Sequence, residues 1–290
     1  MMIKKIVVIM LLAFVPMITF AQASGGQIRR KPQTSFSSKP SRTQNRRRTE
    51  PHRQLTVEQK SILDNIANNM VYIEGGTFMM GPIADEKWKP WDQEGQLHRV
   101  NLSSFYISKY EVTQEIWETV MENNPSTFYG VKRPVENVSW EDCQVFIKKL
   151  NALTGRKYRL PYEAEWEFAA RGGNRSMGYK HSGSNNINDV AWYERNSSNM
   201  THEVGLKKPN ELGLYDMTGN VLEFCQDYYM VYDGNAQTNP TGPTSGFFRV
   251  YRGGGWGSSI EYRYCHISAR QPIGPSTAYN YVGLRLALSY

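Results

Sequence analysis

The chain is 290 residues long and carries a formal net charge of +7. This length allows one large domain or two small ones. The positive charge belongs to the N-terminal part, since residues 1–53 carry +10 and residues 54–290 therefore carry −3. A domain that contacts phosphates concentrates its positive charge on a folded face. The charge distribution therefore argues against a nucleic-acid-binding domain.

Residues 1–23 have the pattern of a signal peptide. Lys4 and Lys5 precede an apolar run over residues 6–20, and Ala21-Gln22-Ala23 supplies small residues at the cleavage position. A membrane anchor is the alternative, but about 15 apolar residues are fewer than the ~20 needed to span a bilayer. We expect a cleaved, exported protein in the periplasm, in the cell envelope or secreted, with no transmembrane span after cleavage. No cysteine follows the apolar run, which disfavours a lipid anchor.

Residues 24–53 form a basic segment rich in Arg, Lys, Ser, Thr, Gln and Pro. Nine Lys or Arg residues face one acid, Glu50, and almost no large apolar side chains are present. Such a composition buries too little surface to fold. The sequence predicts a disordered linker. Arg46-Arg47-Arg48 could contact anionic lipid, wall polymer or a partner protein, but a solvated tail is the simpler interpretation.

The first predicted elements lead from a helix into strands. Thr56 and Gln59 have the spacing of a capping box, which predicts a short helix over residues 54–70 that leads into the domain. Residues 71–81 are rich in β-formers around a Gly-Gly pair, and this pattern favours a hairpin. Residues 100–110 then alternate enough to indicate a strand.

Three more helices are predicted before residue 172. The first runs over residues 113–121, the second begins after Ser139 and stops at Gly155, and the third opens at Pro161 and ends near residue 171. Three glutamates of the third helix are expected on its solvated face: Glu163, Glu165 and Glu167. Beyond residue 172 no long helix is predicted, so the sequence indicates an irregular α+β fold.

A series of short motifs recurs in the order and spacing of a known family. They are Gly75-Gly-Thr-Phe-Met-Met-Gly81, Tyr110-Glu-Val-Thr113, Arg133-Pro-Val-Glu-Asn-Val-Ser-Trp140, Arg159-Leu-Pro-Tyr-Glu-Ala-Glu-Trp166, Gly213-Leu-Tyr-Asp-Met-Thr-Gly-Asn-Val-Leu-Glu223, Arg252-Gly-Gly-Gly-Trp256 and Gly283-Leu-Arg285. Residues 71–290 thereby resemble the formylglycine-generating enzyme, or sulfatase-modifying factor, family. The resemblance implies an irregular C-type-lectin-like fold with little regular secondary structure.

The catalytic cysteines of that family are missing from this chain. The resemblance implies a pair of thiols with four residues between them, shortly after the Arg-Gly-Gly turn, and soft thiolates suit Cu(I). Aligned from the turn, these two positions hold Ser258 and Arg263; aligned backward from Arg270, they hold Gly257 and Tyr262. We therefore expect no catalytic residues and no formylglycine-generating activity.

The three cysteines are Cys143, Cys225 and Cys265. In an oxidising compartment two of three can pair. Cys143 lies on the apolar face of a predicted helix, although one sequence does not prove the connectivity. The resemblance to family members without the catalytic pair implies a structural disulfide between Cys225 and Cys265.

The resemblance also implies structural calcium. Asp216 and Glu223 would offer side-chain oxygens, while Gly219 and Val221 would offer backbone carbonyls, a hard-oxygen set that suits Ca²⁺. The alternative is a capped turn in which Asp216 accepts hydrogen bonds from backbone amides.

Two functions from different classes remain open. The first is a binding or cell-envelope scaffold module for an unknown protein, glycan or envelope ligand. Its ligand face would be residues 256–281, which are dense in Tyr, Ser and Asn. The candidate contact residues are Trp256, Ser258, Tyr262 and Arg263.

The second function is a non-heme iron or copper oxidase that acts on a protein or small molecule. The sequence does not support either metal, since no two of the five histidines have the i, i+4 spacing of a helical metal site. His98 is expected on a strand surface. A third possibility is a non-catalytic aid to a sulfatase, which would require binding to sulfatase peptides.

Overall fold

The computed structural model describes residues 54–82, 95–259 and 264–290. The predicted signal peptide, residues 1–23, and the predicted linker, residues 24–53, lie outside these ranges. All the helices and strands below belong to one unit, Arg53–Tyr290.

The four longer helices lie before residue 171 and a short fifth helix follows them. They are α1 (Val57–Asn68), α2 (Gln114–Met121), α3 (Trp140–Thr154), α4 (Glu163–Ala170) and α5 (Ile187–Val190), with a 3₁₀ turn at Gly173–Arg175. Within the described ranges no long helix follows α4, as the sequence predicts.

The strands form three small sheets. They are β1 (Met70–Ile73), β2 (Gly76–Met80), β3 (His98–Leu102), β4 (Phe105–Ser108), β5 (Leu222–Tyr228), β6 (Gln237–Thr238), β7 (Arg249–Arg252), β8 (Arg270–Ile273), β9 (Val282–Gly283) and β10 (Ala287–Ser289). The sheet orders are β1-β4-β10, β2-β3-β6 and β8-β7-β5-β9.

Local capping fixes the starts of α1 and α3. In α1 the Gln59 amide donates to Thr56 Oγ1 and the Thr56 amide donates to Gln59 Oε1, both at 3.1 Å. Ser139 caps α3 in the same way with Asp142, and Gly155 ends that helix in the left-handed conformation. The predicted capping box at Thr56, the helix start after Ser139 and the stop at Gly155 are therefore confirmed.

The predicted hairpin over residues 71–81 is wrong. Strand β1 pairs antiparallel with β4, whereas β2 pairs antiparallel with β3 in a different sheet. A Cβ on Gly75 would lie 2.4 Å from the Leu102 carbonyl oxygen, so glycine is needed where the chain crosses between the sheets. The predicted strand over residues 100–110 is likewise divided into β3 and β4.

Two hydrophobic clusters form most of the core. One packs α1, α2 and α3 against β5, with the Trp117 and Phe146 rings stacked 4.8 Å apart. The other surrounds Trp166 and Phe168 of α4 and takes apolar side chains from β1 to β4. Helix α4 thus sits at the centre of the second cluster.

The prediction of a solvated glutamate face on α4 is wrong. Every residue of α4 is buried, and the helix begins at Glu163, two residues after Pro161. The glutamates are paired with arginines: Glu163 with Arg270, Glu165 with Arg159, and Glu167 with Arg171 and Arg252. Because buried charges are tolerated only when they are paired, distant arginines allow these carboxylates to face inward. We call these side chains the ion-pair core.

Candidate functional site

The ion-pair core anchors the start of a tight turn, Arg252–Trp256. The buried Arg252 guanidinium donates to Glu167 and, at 2.8 Å, to the Ala269 carbonyl. Gly253 and Gly254 then adopt φ values of 99° and 72°. A Cβ on Gly254 would lie 2.8 Å from the Tyr264 carbonyl oxygen, so the turn requires glycine for both conformation and space.

The turn delivers Trp256 to a fixed position. Its backbone amide donates to the Asn220 carbonyl at 2.7 Å and its indole Nε1 donates to the Asn280 carbonyl at 2.8 Å. The ring meets Phe128 edge-on, with the ring centres 5.3 Å apart. Trp256 is half-buried. It is therefore less of a core anchor than Trp166.

Ser258 closes the next turn. Its Oγ accepts from the Gly255 amide at 2.9 Å, and its own amide donates to the Gly255 carbonyl at 2.9 Å. The Ser258 carbonyl accepts from the Glu194 amide at 3.3 Å, which ties the turn to a second loop. Ser258 is half-buried. Its hydroxyl is therefore held in place beside the solvent.

Trp256 and Ser258 line one open groove of about 560 Å³. Its other lining residues are Glu194, Asn199, Leu222, Tyr251, Gly257, Ser259, Tyr264, Gln271 and Tyr281. We call this set the aromatic groove. Tyr281 stacks on Tyr279 with the ring centres 4.9 Å apart and the planes 9° from parallel. The Tyr251 hydroxyl donates to Gln271 Oε1 at 2.7 Å.

The tyrosines of the groove lie close to one another. Burial raises the pKa of Tyr251, and the nearby Tyr281, Tyr264 and Tyr279 phenols raise that pKa further. The pKa of Tyr281 is raised by burial and by Tyr279. These hydroxyls therefore stay protonated at neutral pH, and the groove presents neutral aromatic rings.

The residues predicted to bind calcium lie next to the Arg252–Trp256 turn, because the Gly219 amide donates to the Gly253 carbonyl at 2.9 Å. Asp216 is buried with φ 56°, and its Oδ2 accepts from the Gly205 amide at 2.7 Å, as the capped-turn alternative predicts. Its Oδ1 has no hydrogen-bond partner among the described residues. Glu223 accepts from Arg285 at 2.7 Å and from the Trp166 indole at 2.7 Å. Asp216 thus offers a free oxygen, whereas Glu223 already has partners.

A third carboxylate, Glu111, lies near these two, and we call Glu111, Asp216 and Glu223 the acidic cluster. Glu111 accepts from the Val221 amide at 3.1 Å. Burial raises the pKa of Glu111 well above its usual value, as do the charges of Asp216 and Glu223. Burial also raises the pKa of Asp216 to about 6. Arg285 forms a salt bridge with Glu223, and it lowers the pKa of Glu111 and Asp216 less than burial raises it, so these two carboxyl groups favour the protonated form more than an exposed carboxyl does.

The three cysteines are free, buried thiols, so the structure does not form the predicted Cys225–Cys265 disulfide. Cys225 packs in the cluster around α4, while Cys265 packs with Ile187 and Tyr193 in a separate small cluster. Burial raises the pKa of Cys265 to about 12 and that of Cys225 well above its usual value. Both thiols therefore stay protonated at neutral pH.

Comparison with known families identifies the domain. The chain matches the Sulfatase-modifying factor enzyme 1-like domain family over residues 57–290. The chain belongs to this family.

Other members show similarity over most of the domain. The chaperone protein LppX of Paenibacillus barcinonensis is 34% identical over 246 residues, covering 68% of this chain and 81% of that protein. The formylglycine-generating enzyme of Mus musculus is 27% identical over 288 residues, covering 76% of this chain and 75% of that enzyme.

A solved structure agrees with the fold. Treponema denticola variable protein 1 superposes with a TM-score of 0.68 at 34% identity, covering 76% of this chain and 95% of that chain. The predicted family and the irregular α+β, C-type-lectin-like fold are confirmed.

The aromatic groove of this sulfatase-modifying factor domain contains only part of the predicted ligand face. Trp256 and Ser258 line it together, while Tyr262 and Arg263 lie outside the described residues. Tyr251 lies outside the predicted range of residues 256–281 and was missed; it faces Gln271, which lies inside that range, across β7 and β8. Only the pairing of these two strands could have found Tyr251, since the two residues are 20 positions apart.

Histidine does not form a metal site in the part of the domain that the structure describes. No three His, Cys, Asp or Glu side chains converge there in a way that could hold a metal ion. His98 is buried in β3 with its ring 4.7 Å from that of Tyr232, so its predicted surface position is wrong. No helix within the described ranges is long and apolar enough to cross a membrane.

Proposed function

We propose that this sulfatase-modifying factor domain is a binding module whose ligand site is the aromatic groove, and that it does not generate formylglycine. The observation that carries the proposal is the groove itself. It is open, about 560 Å³ in volume, and held by the same turn that the resemblance associates with catalysis. Ligand sites usually occupy 300–1,000 Å³ with mostly apolar walls and a few placed polar groups.

The positions of the cysteine thiols support the proposal that this chain does not generate formylglycine. Of the positions aligned with the catalytic pair, Gly257 and Ser258 lie at the groove and neither carries sulfur. Cys265 is near in sequence, but its thiol is buried and protonated. A thiol in that state is a poor Cu(I) ligand and a poor nucleophile.

Two observations support the binding role: the groove side chains are held in place by hydrogen bonds, and one relative is named a chaperone. Trp256, Ser258 and Tyr251 are each held by hydrogen bonds before any ligand arrives, and such preorganisation lowers the entropic cost of binding. LppX of Paenibacillus barcinonensis is named a chaperone, which is a binding role. We also propose that this chain is exported to the cell envelope, because residues 1–23 have the pattern of a signal peptide.

A groove-filling variant tests the site. Ser258→Trp would place a bulky ring in the groove, while Ser176→Trp places the same ring at an exposed position outside it. We expect the full chain to bind members of a peptide or glycan array, the Ser176 variant to bind the same members, and the Ser258 variant to lose them. Equal binding by both variants, or no array ligand at all, would overturn the proposal.

We further propose that Asp216 and Glu223, together with the backbone carbonyls of Gly219 and Val221, hold a calcium ion. Asp216 fits this ion because its buried Oδ1 has no other partner, and a hard divalent cation suits carboxylate and carbonyl oxygens. Asp216 and the carbonyls of Gly219 and Val221 would hold it, with Glu223 shared between the ion and Arg285. A bound cation would stabilise the ionised forms of Glu111 and Asp216, which burial disfavours.

A further inference from the structure

Another pocket, away from the aromatic groove, lies between the end of α1 and the start of α2. Its volume is about 290 Å³, close to the lower end of the range of small-molecule sites, about 300–1,000 Å³. It shares no described lining residue with the aromatic groove. We call it the α2 pocket, and the lining residues that matter below are Ile66, Val112, Thr113, Glu115, Lys132 and Leu286.

One wall of the α2 pocket is aliphatic. Ile66, Val112 and Leu286 belong to the hydrophobic cluster that packs α1, α2 and α3 against β5, and each also lines the pocket. Ile116 and Val204 extend this wall. A branched aliphatic group placed against it would be removed from water, which favours binding. The wall therefore indicates a ligand with an aliphatic part.

Beside this wall, Thr113 has a buried hydroxyl without a partner. The residue is 6% exposed, and its Oγ1 makes no hydrogen bond within the described ranges. Thr113 is the residue before the first turn of α2, yet no side-chain hydrogen bond caps that helix. Leaving a buried hydroxyl without a hydrogen bond costs free energy. An oxygen atom of a ligand in the pocket would supply the missing partner.

Two opposite charges lie at the mouth of the pocket without pairing. The Glu115 amide donates to the Val131 carbonyl at 3.1 Å, which brings Glu115 beside the residue that precedes Lys132. Glu115 is half-buried and Lys132 is exposed. Neither side chain forms an ion pair in the part of the chain that the structure describes. The mouth therefore offers a partner for a cation and a partner for an anion close together.

Glu111 also lines the pocket but already has partners inside the protein. One of its carboxylate oxygens accepts from the Val221 amide at 3.1 Å, and the other accepts from Asn220 Nδ2 at 2.7 Å. A ligand would therefore find its charged partners in Glu115 and Lys132.

We propose that the α2 pocket binds a free amino acid with an aliphatic side chain. The ligand ammonium would pair with Glu115, the ligand carboxylate would accept from Lys132 and from the Thr113 hydroxyl, and the side chain would pack on the aliphatic wall. An amino acid carries both charges on one carbon atom, which suits two opposite charges that lie close together. A simple amine or a simple acid would leave one of the two without a partner. The inference does not depend on the function proposed for the aromatic groove.

Leucine and two analogues with the same aliphatic chain test the proposal directly. Isoamylamine lacks the carboxylate, and isocaproic acid lacks the ammonium group. Binding of each to the full chain would be measured by ligand-observed NMR. We expect leucine to bind at least about tenfold more tightly than either analogue, because each analogue loses one charge-assisted interaction. No binding of leucine, isoleucine or valine, or equal binding of leucine and one analogue, would overturn the proposal.

Substitutions at the mouth assign each charge to its partner. Glu115→Gln should weaken leucine binding roughly tenfold without changing the affinity for isocaproic acid, and Lys132→Gln should weaken leucine binding without changing the affinity for isoamylamine. Glu118→Gln, at an exposed position of the same helix, is the matched control and should bind leucine like the wild type. Unchanged leucine affinity in both Glu115→Gln and Lys132→Gln would rule out the α2 pocket.

Thr113→Val separates ligand binding from folding. Because the hydroxyl has no partner within the described ranges, its removal should not lower the melting temperature of the ligand-free protein. Leucine affinity should fall roughly three- to fivefold. A lower melting temperature with unchanged leucine affinity would contradict the role of this hydroxyl in binding. Leucine binding that is lost in Ser258→Trp but kept in Glu115→Gln would overturn this inference and leave the function of the aromatic groove intact.

Discussion

The ion-pair core and the aromatic groove meet at Arg252–Trp256, yet they use their side chains in opposite ways. In the core, every glutamate of α4 has an arginine partner and almost no contact with water. In the groove, Trp256 and Ser258 stay half-exposed, and Glu194 is the only charged side chain among the lining residues that the structure describes. The family motifs thus build the scaffold, while the candidate function lies on the loops that it holds.

This comparison explains why a family motif need not mark a reaction. Arg252 opens the turn that carries Trp256, but its own side chain is fully buried against Glu167. The turn can therefore keep its shape whatever residues follow it. Here those residues include Gly257 and Ser258 in place of thiols.

Removing a charge from the ion-pair core should have the largest effect. Glu167→Gln removes the carboxylate that Arg171 and Arg252 share and leaves the fully buried Arg252 paired with Glu163 alone, at 3.2 Å; breaking a buried ion pair costs about 3–5 kcal/mol. Glu165→Gln is the matched control, because its partner Arg159 is 18% exposed and water can take over part of the interaction. Urea unfolding should show a clearly larger loss for Glu167→Gln; equal losses would contradict the comparison.

The ionisation of Asp227 should make the stability of the folded protein depend on pH. Burial raises its pKa to about 8 from 3.8, and the charge of Glu163 adds to the rise. The folded state thus binds this proton more tightly than the unfolded state, so the free energy of unfolding should fall as pH rises from about 4 to 8.

Asp227→Asn tests this pH dependence. The variant cannot titrate at this position but can still accept from the Glu163 amide, as Asp227 does at 2.8 Å. Between pH 5 and 7 the wild type should lose more than about 1 kcal/mol relative to the variant. Parallel stability curves for the two proteins would show that Asp227 is ionised in the folded state.

Calcium binding at Asp216 should stabilise the folded protein. A ligand that binds only the folded state stabilises it by about 2.7 kcal/mol at 100 times its dissociation constant. We expect calcium to raise the melting temperature of chelator-treated protein, and Asp216→Asn to reduce that rise. Glu58→Gln, on the exposed side of α1, is the control and should leave the rise unchanged. Identical melting with and without calcium would contradict the site.

The groove should be the region that tolerates change best. Tyr281→Phe removes one hydroxyl from a half-buried ring and should alter stability by less than about 1 kcal/mol. Thermal melting of Tyr281→Phe and Glu167→Gln, measured side by side, would compare the loss of stability in the groove with that in the core. A loss as large as that of the core variant would mean that the groove is part of the scaffold.

Local signals in the sequence predicted local structure well. The capping box at Thr56 and the helix start after Ser139 depend on residues a few positions apart, so one sequence was enough to find them. The burial of Glu163 and Glu167 could not be found this way, because their partners Arg270 and Arg252 lie 107 and 85 residues away.

The groove could be predicted only in part, because some of its residues meet through contacts between positions far apart in the sequence. Trp256 and Ser258 follow a recognisable turn, whereas Tyr251 reaches the groove through the pairing of β7 with β8. The prediction of a hairpin at residues 71–81 was wrong because the Gly-Gly pair lies where the chain crosses from one sheet to another. Such a crossing has the same sequence pattern as a tight turn.

The central claim is that this domain binds without generating formylglycine. The direct measurement is mass spectrometry of a sulfatase-motif peptide incubated with the full chain, copper and oxygen, with an active formylglycine-generating enzyme as the positive control. The account predicts a peptide that stays unconverted while the control is complete. Conversion of the peptide cysteine to formylglycine by this chain would contradict it.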